Sequence, residues 1–245
     1  MNRFFVKPEN VGAGSIFIDN KEDLHHMMKV LRLSAGDEIE ISDSAQWEYR
    51  AELISLDQDG AEAKILDKQK FSAEPSVRIT LFQGIPKQGK MELIIQKCVE
   101  LGVFDMVPVF MARTVVVDKG KFHKKIERWQ KVSAEAVKQC KRGIIPRVKE
   151  PIKTREVIDR FGEFDLVLFP YENEEGTTIK DVLQEEKAGW SRIAVLIGPE
   201  GGFSDEEAAA IQAAGGRSVS LGKATLRTET AGMAALAMIQ YELEL

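Results

Sequence analysis

The chain has 245 residues, of which 44% are hydrophobic and 30% charged, as in ordinary soluble globular proteins. That length suits one large domain or two modest ones. No apolar run approaches the roughly 20 residues that a membrane-spanning helix needs, so we expect no membrane protein. Residues 1–6 carry no signal-peptide pattern, and this predicts a cytoplasmic location.

Cysteine and histidine usage argues against a metal site. Cys98 and Cys140 lie in different predicted helices without metal-ligand spacing, which favours small core residues over ligands. Of only three histidines, His25 and His26 are adjacent. We therefore expect neither a metal ion nor a disulfide.

The formal net charge of −5 is unevenly distributed along the chain. Residues 119–155 hold 13 Lys and Arg against 3 Asp and Glu, whereas residues 156–245 hold 7 against 17. A clustered cationic region is the electrostatic pattern of a surface that binds a phosphate backbone. An ordinary solvated helix surface is the alternative, and charge alone leaves both open.

The first 72 residues are predicted to form a small β-barrel. Polar and apolar residues alternate, as in strands with one wet face, over residues 38–43, 49–56 and 61–66. The segment Asp57-Gln58-Asp59-Gly60 predicts a hairpin turn. Apolar residues at helical spacing predict a helix within residues 21–32: Leu24, Met27, Met28 and Leu31.

A second domain is predicted from residue 73 to 245, because the polar stretch 68–76 separates two composition regimes. Its apolar strands are predicted at residues 77–82, 106–111, 166–169 and 193–197. Its helices are predicted at residues 90–101, with Gly102 as a stop, and at 121–141 and 178–187. Strands that alternate with helices indicate an α/β domain with a mostly parallel sheet.

Residues 193–232 carry the strongest indication of a ligand site. The glycine-rich turn Gly198-Pro199-Glu200-Gly201-Gly202 follows an apolar strand, and a capping box from Ser204 to Glu207 starts the next helix. The P-loop and the dinucleotide fingerprint are both absent. The turn is either a site that holds a nucleoside through its backbone or simply a tight connection.

Two further loops are expected at the same sheet edge, where open α/β sheets bind ligands. One follows Phe169 and begins with Pro170. The other runs from Leu221 to Arg227 and enters a helix for which Thr228 is the predicted N-cap. A cation at Arg227 gains nothing from the positive helix end, so either an anion-gripping role or a surface salt bridge is indicated. The last helix, rich in Ala, Gly and Met, is predicted to lie at a subunit interface or in the core.

Several motifs together resemble the knotted SPOUT-class methyltransferases, and more narrowly the family that methylates N3 of a uridine near the 3′ end of 16S ribosomal RNA. In the C-terminal part these are residues 197–203, Leu221-Gly222 and Leu226-Arg227-Thr228-Glu229-Thr230-Ala231. Residues 86–103 and 128–136 are similar to the family's first two helices in this domain. His26, Val30-Leu31-Arg32 and Gly36-Asp37 are similar to its PUA-like barrel. The resemblance covers nearly the whole chain.

This resemblance implies a C-terminal α/β trefoil knot, a homodimer, and S-adenosyl-L-methionine held by the three loops. The implied substrate is 16S rRNA or the 30S subunit. The implied cofactor-binding residues are Leu168, Phe169, Pro170, Ile197, Gly198, Pro199, Glu200, Gly201, Gly202, Leu221, Gly222, Leu226 and Arg227. The chain departs from the family pattern at two places. Ala224 concerns the shape of the cofactor loop at residues 221–227, and Cys140-Lys141 concerns RNA contact near Arg142.

Methylation at N3 requires loss of the uracil N3 proton, so a base or a cation that stabilises the uracil anion is needed. Arg227 is the candidate cation, and Glu200 and Glu229 are candidate bases or structural acceptors. Candidate RNA-binding residues are Arg3, His26, Arg32, Lys87, Lys124, Lys141 and Arg142. Ribose 2′-O methylation and a non-catalytic RNA-binding assembly protein remain the alternatives.

Overall fold

The structure is a computed structural model that describes residues 2–87, 89–118, 120, 122–185 and 189–244. It divides into two compact units. The first contains Met1–Glu74 and Val137–Ile145, and the second contains Pro75–Ala136 and Pro146–Leu245. Within the described ranges, no helix combines the length and the apolar character that a membrane span requires.

The first unit is built on one five-stranded sheet in the order β1-β3-β4-β5-β2. Its strands are β1 (Arg3–Phe5), β2 (Ser15–Ile18), β3 (Glu38–Ser42), β4 (Trp47–Leu56) and β5 (Ala61–Lys70). The pair β1 and β3 is parallel, and the other pairs are antiparallel. The predicted alternation is confirmed, since every second residue of β4 from Tyr49 to Leu53 is buried.

Local sequence explains the connections of this unit. Asp57 Oδ1 accepts hydrogen bonds from the backbone N–H groups of Asp59 and Gly60, which stabilises the predicted turn between β4 and β5. The predicted helix begins after the cap Asn20 as α1 (Lys21–His25) and continues as a π-helix (His26–Leu31). Arg32 ends it in the left-handed conformation, with φ of 54°.

The second unit contains a parallel sheet in the order β12-β10-β11-β6-β7-β8, with β9 also paired to β7. Its strands are β6 (Arg78–Gly84), β7 (Asp105–Phe110), β8 (Arg147–Val148), β9 (Ile152–Lys153), β10 (Leu166–Pro170), β11 (Arg192–Ile197) and β12 (Arg217–Val219). Its helices are α2 (Lys90–Glu100), α3 (Phe122–Cys140), α4 (Thr154–Ile158), α5 (Ile179–Gln184), α6 (Asp205–Ala213) and α7 (Thr228–Glu244), the end of α3 belonging to the first unit. The predicted α/β class is confirmed.

Apolar residues explain the central position of β11 in the sheet, and local capping residues explain where helices begin and end. Residues Ile193 to Ile197 of β11 are buried between β10 and β6, as an apolar central strand requires. Ser204 accepts a hydrogen bond from the Glu207 N–H in the predicted capping box of α6. Gly102, with φ of 88°, follows the end of α2 where a stop was predicted. The helix predicted for residues 178–187 ends at Gln184, and Lys187 lies outside the described residues. Lys121, the predicted start of the helix at residues 121–141, also lies outside them.

The last helix, α7, packs against α2 and α5. One stripe is buried: Gly232, Ala235, Leu236 and Ile239. Met238 and Tyr241 are 40% and 70% exposed. One face of α7 therefore lies in the core. The prediction of a subunit interface now concerns only the opposite, exposed face.

The prediction that Thr228 caps α7 with its side chain is wrong. The Arg227 carbonyl accepts the first helical hydrogen bonds, from the N–H groups of Thr230 and Ala231, so Arg227 holds the cap position. The Thr228 hydroxyl instead donates to the Gly198 carbonyl across a distance of 2.6 Å. A long-range contact has replaced the local cap.

Candidate functional site

Three loops meet at one edge of the parallel sheet, because they follow strands β12, β10 and β11, which are adjacent and parallel. They enclose a cavity of about 360 Å³. It is lined by Lys90, Pro170, Glu172, Ile197, Gly198, Pro199, Glu200, Gly202, Phe203, Thr225, Leu226, Arg227, Thr228 and Ala231. The predicted convergence of the three loops is thus confirmed.

A smaller cavity of about 130 Å³ adjoins the first and shares Pro170, Glu172, Thr225, Leu226 and Ala231 with it. Its other lining residues are Tyr171, Glu174, Ser220, Leu221, Gly222, Lys223 and Ala224. The combined recess is of the size that small organic ligands occupy in proteins. Ala224 lines the smaller cavity.

The glycine-rich loop is tightly folded at the floor of the larger cavity. The Gly202 N–H donates to the Pro199 carbonyl, and Gly202 has φ of 67°, which glycine adopts without strain. A Cβ on Gly84 would lie 2.5 Å from Pro199 N. The end of β6 can therefore approach the loop only because residue 84 has no side chain.

Most of the predicted cofactor-binding residues line these cavities, but three do not. Leu168 and Phe169 are fully buried in β10, behind the loop that they precede. Gly201 is outside both linings, and its carbonyl accepts a hydrogen bond from Arg113 at 2.8 Å. Leu168 and Phe169 lie in the strand that positions this loop, and their predicted part in cofactor binding stays a prediction.

The ammonium group of Lys90, at the start of α2, bridges the two carboxylates that were predicted as bases. Its Nζ lies 3.1 Å from Glu229 Oε2 and 3.5 Å from Glu200 Oε1. Glu200 also accepts the Lys87 N–H at 2.9 Å. The structure thus joins the glycine-rich loop, α7 and α2 through one charged cluster at the cavity wall.

Both carboxylates have a lowered pKa. Burial raises the pKa of Glu200, but its own N–H, the Lys87 N–H and Lys90 together outweigh burial. The pKa of Glu229 is lowered mainly by its own backbone N–H, against burial, with Lys90 and Arg227 adding to the effect. A carboxylate held in its ionised form in this way is a weak proton acceptor.

The Arg227 side chain lines the larger cavity and is exposed. In the described part of the chain no hydrogen bond or ion pair occupies its guanidinium group, although its charge contributes to lowering the pKa of Glu229. The surface salt bridge considered for this residue is therefore not observed among the described residues. A cation that is free at a cavity wall can receive an anionic group of a ligand.

Sequence reasoning did not assign a site role to Lys90, Glu172, Phe203, Thr225, Thr228 or Ala231. Lys90 and Thr228 belong to motifs that carried the family resemblance, and Glu172 lies in the predicted loop that follows Phe169. Their position in these segments was the only sequence signal that could have assigned them to the site. Only the folded chain shows that their side chains line the same cavity.

The candidate RNA-binding residues divide into two groups. Five are exposed: His26, Arg32, Lys87, Lys124 and Lys141. The Arg3 side chain is 9% exposed and pairs with Glu40 and Glu48. Arg142 is 4% exposed and pairs with Glu74 at 2.8 Å. Assigning Arg3 and Arg142 to RNA contact is corrected, because their guanidinium groups are already occupied inside the first unit.

The fold and cavity define an α/β protein that binds a small ligand at the carboxyl edge of its sheet. The model of the RNA methyltransferase domain family matches residues 73–240, and the model of the RNA methyltransferase PUA domain matches residues 18–66. The first match alone spans more than half of the chain. The chain belongs to the RNA methyltransferase family.

Relatives and solved structures agree with this assignment. Ribosomal RNA small subunit methyltransferase E of Bacillus subtilis is 31% identical over 252 residues, covering 100% of this chain and 98% of the relative. The Synechocystis protein of the same name is 31% identical, covering 99% and 78%. The Neisseria gonorrhoeae enzyme of that name, in a crystal structure with S-adenosyl methionine, is 31% identical with a TM-score of 0.84, covering 98% and 97%.

Proposed function

We propose that this protein transfers a methyl group from S-adenosyl-L-methionine to a uridine N3 of 16S ribosomal RNA. The observation that carries the proposal is the three-loop cavity with Arg227 at its wall, a cation without a partner among the residues that the structure describes. The full-length similarity to small-subunit rRNA methyltransferases supports both the cofactor and the RNA class. The choice of N3 is supported by the motif resemblance described above and by the cation.

The residues present suit the proposed cofactor. The recess lining includes Gly198, Gly202 and Gly222, which leave their backbone open to a ligand, together with apolar Ile197 and Leu226. The lining also contains charged residues: Lys90, Glu172, Glu174, Glu200, Lys223 and Arg227. Such a lining can hold a nucleoside and a thioether chain through backbone groups and apolar contacts. When bound there, the cofactor supplies an electrophilic methyl group.

Arg227 is the residue that we assign to charge stabilisation. As the uracil N3 proton passes to solvent water, negative charge spreads over the two neighbouring carbonyl oxygens. An unpaired guanidinium group at the cavity wall can donate hydrogen bonds to such an oxygen and lower the energy of the anion. The lowered pKa values of Glu200 and Glu229 favour structural roles for both carboxylates over the role of base.

Glu200→Gln and Glu229→Gln are expected to retain methyl transfer within about tenfold of the unmodified protein, because an amide still accepts the local backbone N–H groups. Rates measured across the pH range should keep the same shape in both variants. A loss of about 100-fold in one variant, or disappearance of a limb of its pH profile, would restore that carboxylate as the base.

RNA binding is assigned to the exposed cations, with Lys124 on α3 as the test residue. Lys124→Ala should weaken 16S RNA binding and reduce the slope of log affinity against log salt by about 1, because one phosphate contact is lost. Lys180→Ala changes an equally exposed lysine on α5 and serves as the control. Equal slopes for Lys124→Ala and the unmodified protein would remove Lys124 from the RNA contact.

We also propose the remaining features that the resemblance implies. These are a trefoil knot in residues 73–245, RNA binding by residues 1–72, a homodimer and a cytoplasmic location. The exposed Met238 and Tyr241 on the outer face of α7 support an interface there. Sedimentation of the purified protein tests the dimer directly.

The decisive experiment is transfer of labelled methyl to 30S subunits and to naked 16S RNA, followed by mass-spectrometric mapping. Label on N3 of one uridine is the expected result. Label on a ribose 2′ oxygen would instead support 2′-O methylation. RNA binding without any affinity for S-adenosylmethionine in calorimetry would support the non-catalytic assembly protein.

A further inference from the structure

A buried chain of hydrogen bonds runs beneath the glycine-rich loop. Gln83 Nε2, at the end of β6, donates to the Gly84 carbonyl at 3.0 Å and to Thr228 Oγ1 at 2.9 Å. Thr228 Oγ1 lies 2.6 Å from the Gly198 carbonyl. Gln83 is fully buried, and Thr228 is 6% exposed. The chain therefore joins β6, α7 and the loop, and it runs from the buried Gln83 amide to the wall of the larger cavity, which Thr228 and Gly198 line.

The direction of each hydrogen bond follows from the groups involved. The Gly84 carbonyl can only accept, so the atom of Gln83 facing it must be the amide nitrogen. Both protons of that nitrogen are then used. Because Thr228 accepts one of them, its own single proton is left for the Gly198 carbonyl. The Gly198 carbonyl can only accept, so the Thr228 proton faces it, and the Gln83 amide holds the same hydroxyl oxygen from the other side.

The Thr228 hydroxyl binds the carbonyl oxygen of the peptide between Gly198 and Pro199. Proline has no N–H, so the Gly198 carbonyl is the only hydrogen-bonding group in that peptide. Thr228 holds this carbonyl, while both Gly198 and Pro199 line the larger cavity. Fixing the carbonyl therefore fixes the peptide plane that forms part of the cavity floor.

Gln83 is poorly explained as a stabilising residue alone. Its Oε1 atom is buried and has no hydrogen-bond partner among the described residues. It lies 3.5 Å from the position that a Cβ on Gly232 would take, next to the apolar stripe of α7. A buried acceptor without a donor disfavours the folded state, so an apolar side chain of similar length would suit this place better.

We propose that Gln83 and Thr228 are positioning residues that orient the Gly198–Pro199 peptide for binding of S-adenosylmethionine. The inference rests on the proposed function, since it concerns the same cavity. Neither side chain is assigned to the methyl transfer itself. Their effect is expected in affinity for the cofactor, with a much smaller change in the rate at saturation.

The test measures the KM for S-adenosylmethionine, kcat and the melting temperature of Thr228→Val, Thr228→Ser and Gln83→Met. Thr228→Val removes the hydroxyl at nearly constant volume and should raise the KM about tenfold, with little change in kcat. Thr228→Ser keeps the hydroxyl and should return the KM toward that of the unmodified protein. Thr230→Val, at an exposed threonine on the same helix, is the matched control.

Gln83→Met separates positioning from stability. It removes the unpaired oxygen but also the donor to Thr228 and to the Gly84 carbonyl, so the opposing effects on stability should leave the melting temperature little changed while the KM rises. A Thr228→Val protein with an unchanged KM, or a Gln83→Met protein that melts lower with an unchanged KM, overturns the inference. If the unmodified protein does not bind S-adenosylhomocysteine in calorimetry, the proposed function falls, and the inference falls with it.

Discussion

Arg227→Gln is expected to lower the rate of methyl transfer at saturating cofactor by about 100-fold, which corresponds to roughly 2.7 kcal/mol of transition-state stabilisation. The guanidinium group is unpaired among the described residues and lines the cavity. Its removal takes away the charge that the proposed mechanism assigns to stabilisation of the uracil anion. Glutamine has a similar shape but no charge. Single-turnover kinetics with 30S subunits provide the measurement.

The matched control for this variant is Arg155→Gln, which neutralises an exposed arginine on α4 outside both cavity linings. The control should retain nearly full activity. Cofactor binding by Arg227→Gln should also stay within a few-fold, since the proposed role concerns the RNA base. If Arg227→Gln lost cofactor affinity and kept its rate at saturation, Arg227 would be a cofactor ligand instead.

Arg142→Met is expected to lower the free energy of unfolding by about 3–5 kcal/mol, as is usual when one partner of a buried ion pair is removed. Arg142 Nη2 lies 2.8 Å from Glu74 Oε2, and the two side chains are 4% and 11% exposed. Glu74 also accepts the N–H groups of Gly143 and Ile144, so it cannot turn to solvent without breaking them. The remaining carboxylate is left buried without its partner.

Urea unfolding of the complete protein measures this effect. Lys141→Met is the control, because the neighbouring lysine is exposed and its change should shift the free energy of unfolding by no more than about 0.5 kcal/mol. The residual RNA affinity of Arg142→Met, measured well below its unfolding midpoint, should be unchanged. Stable protein with weakened RNA binding would return Arg142 to the RNA-contacting group.

The position of Arg142 in the fold could not be predicted from the local sequence. Arg142 was counted among the cations of residues 119–155 because a count along the chain does not distinguish buried from exposed side chains. The structure assigns Val137–Ile145 to the first unit and turns Arg142 inward onto Glu74, 68 residues earlier. No periodicity within the stretch indicates a partner at that separation.

Thr228 illustrates the same limit at the site itself. Its place before an apolar helix predicts a local cap, and local propensity has no information about a carbonyl 30 residues away. Once β11 and α7 are packed, the Gly198 carbonyl and the Gln83 amide lie within reach, and the hydroxyl bonds to them. Burial makes these long-range contacts decisive, since an unpaired polar group inside the protein is costly.

The alternating strands, the turn at Asp57, the capping box at Ser204 and the three loops at the sheet edge were predictable from the sequence. These depend on side-chain periodicity and on turn and cap chemistry within a few residues. The folded chain was needed to show that Lys90 joins Glu200 to Glu229, that Arg142 is buried, and that Gln83 lies beneath the glycine-rich loop. Such contacts join residues far apart in the chain, and packing selects them.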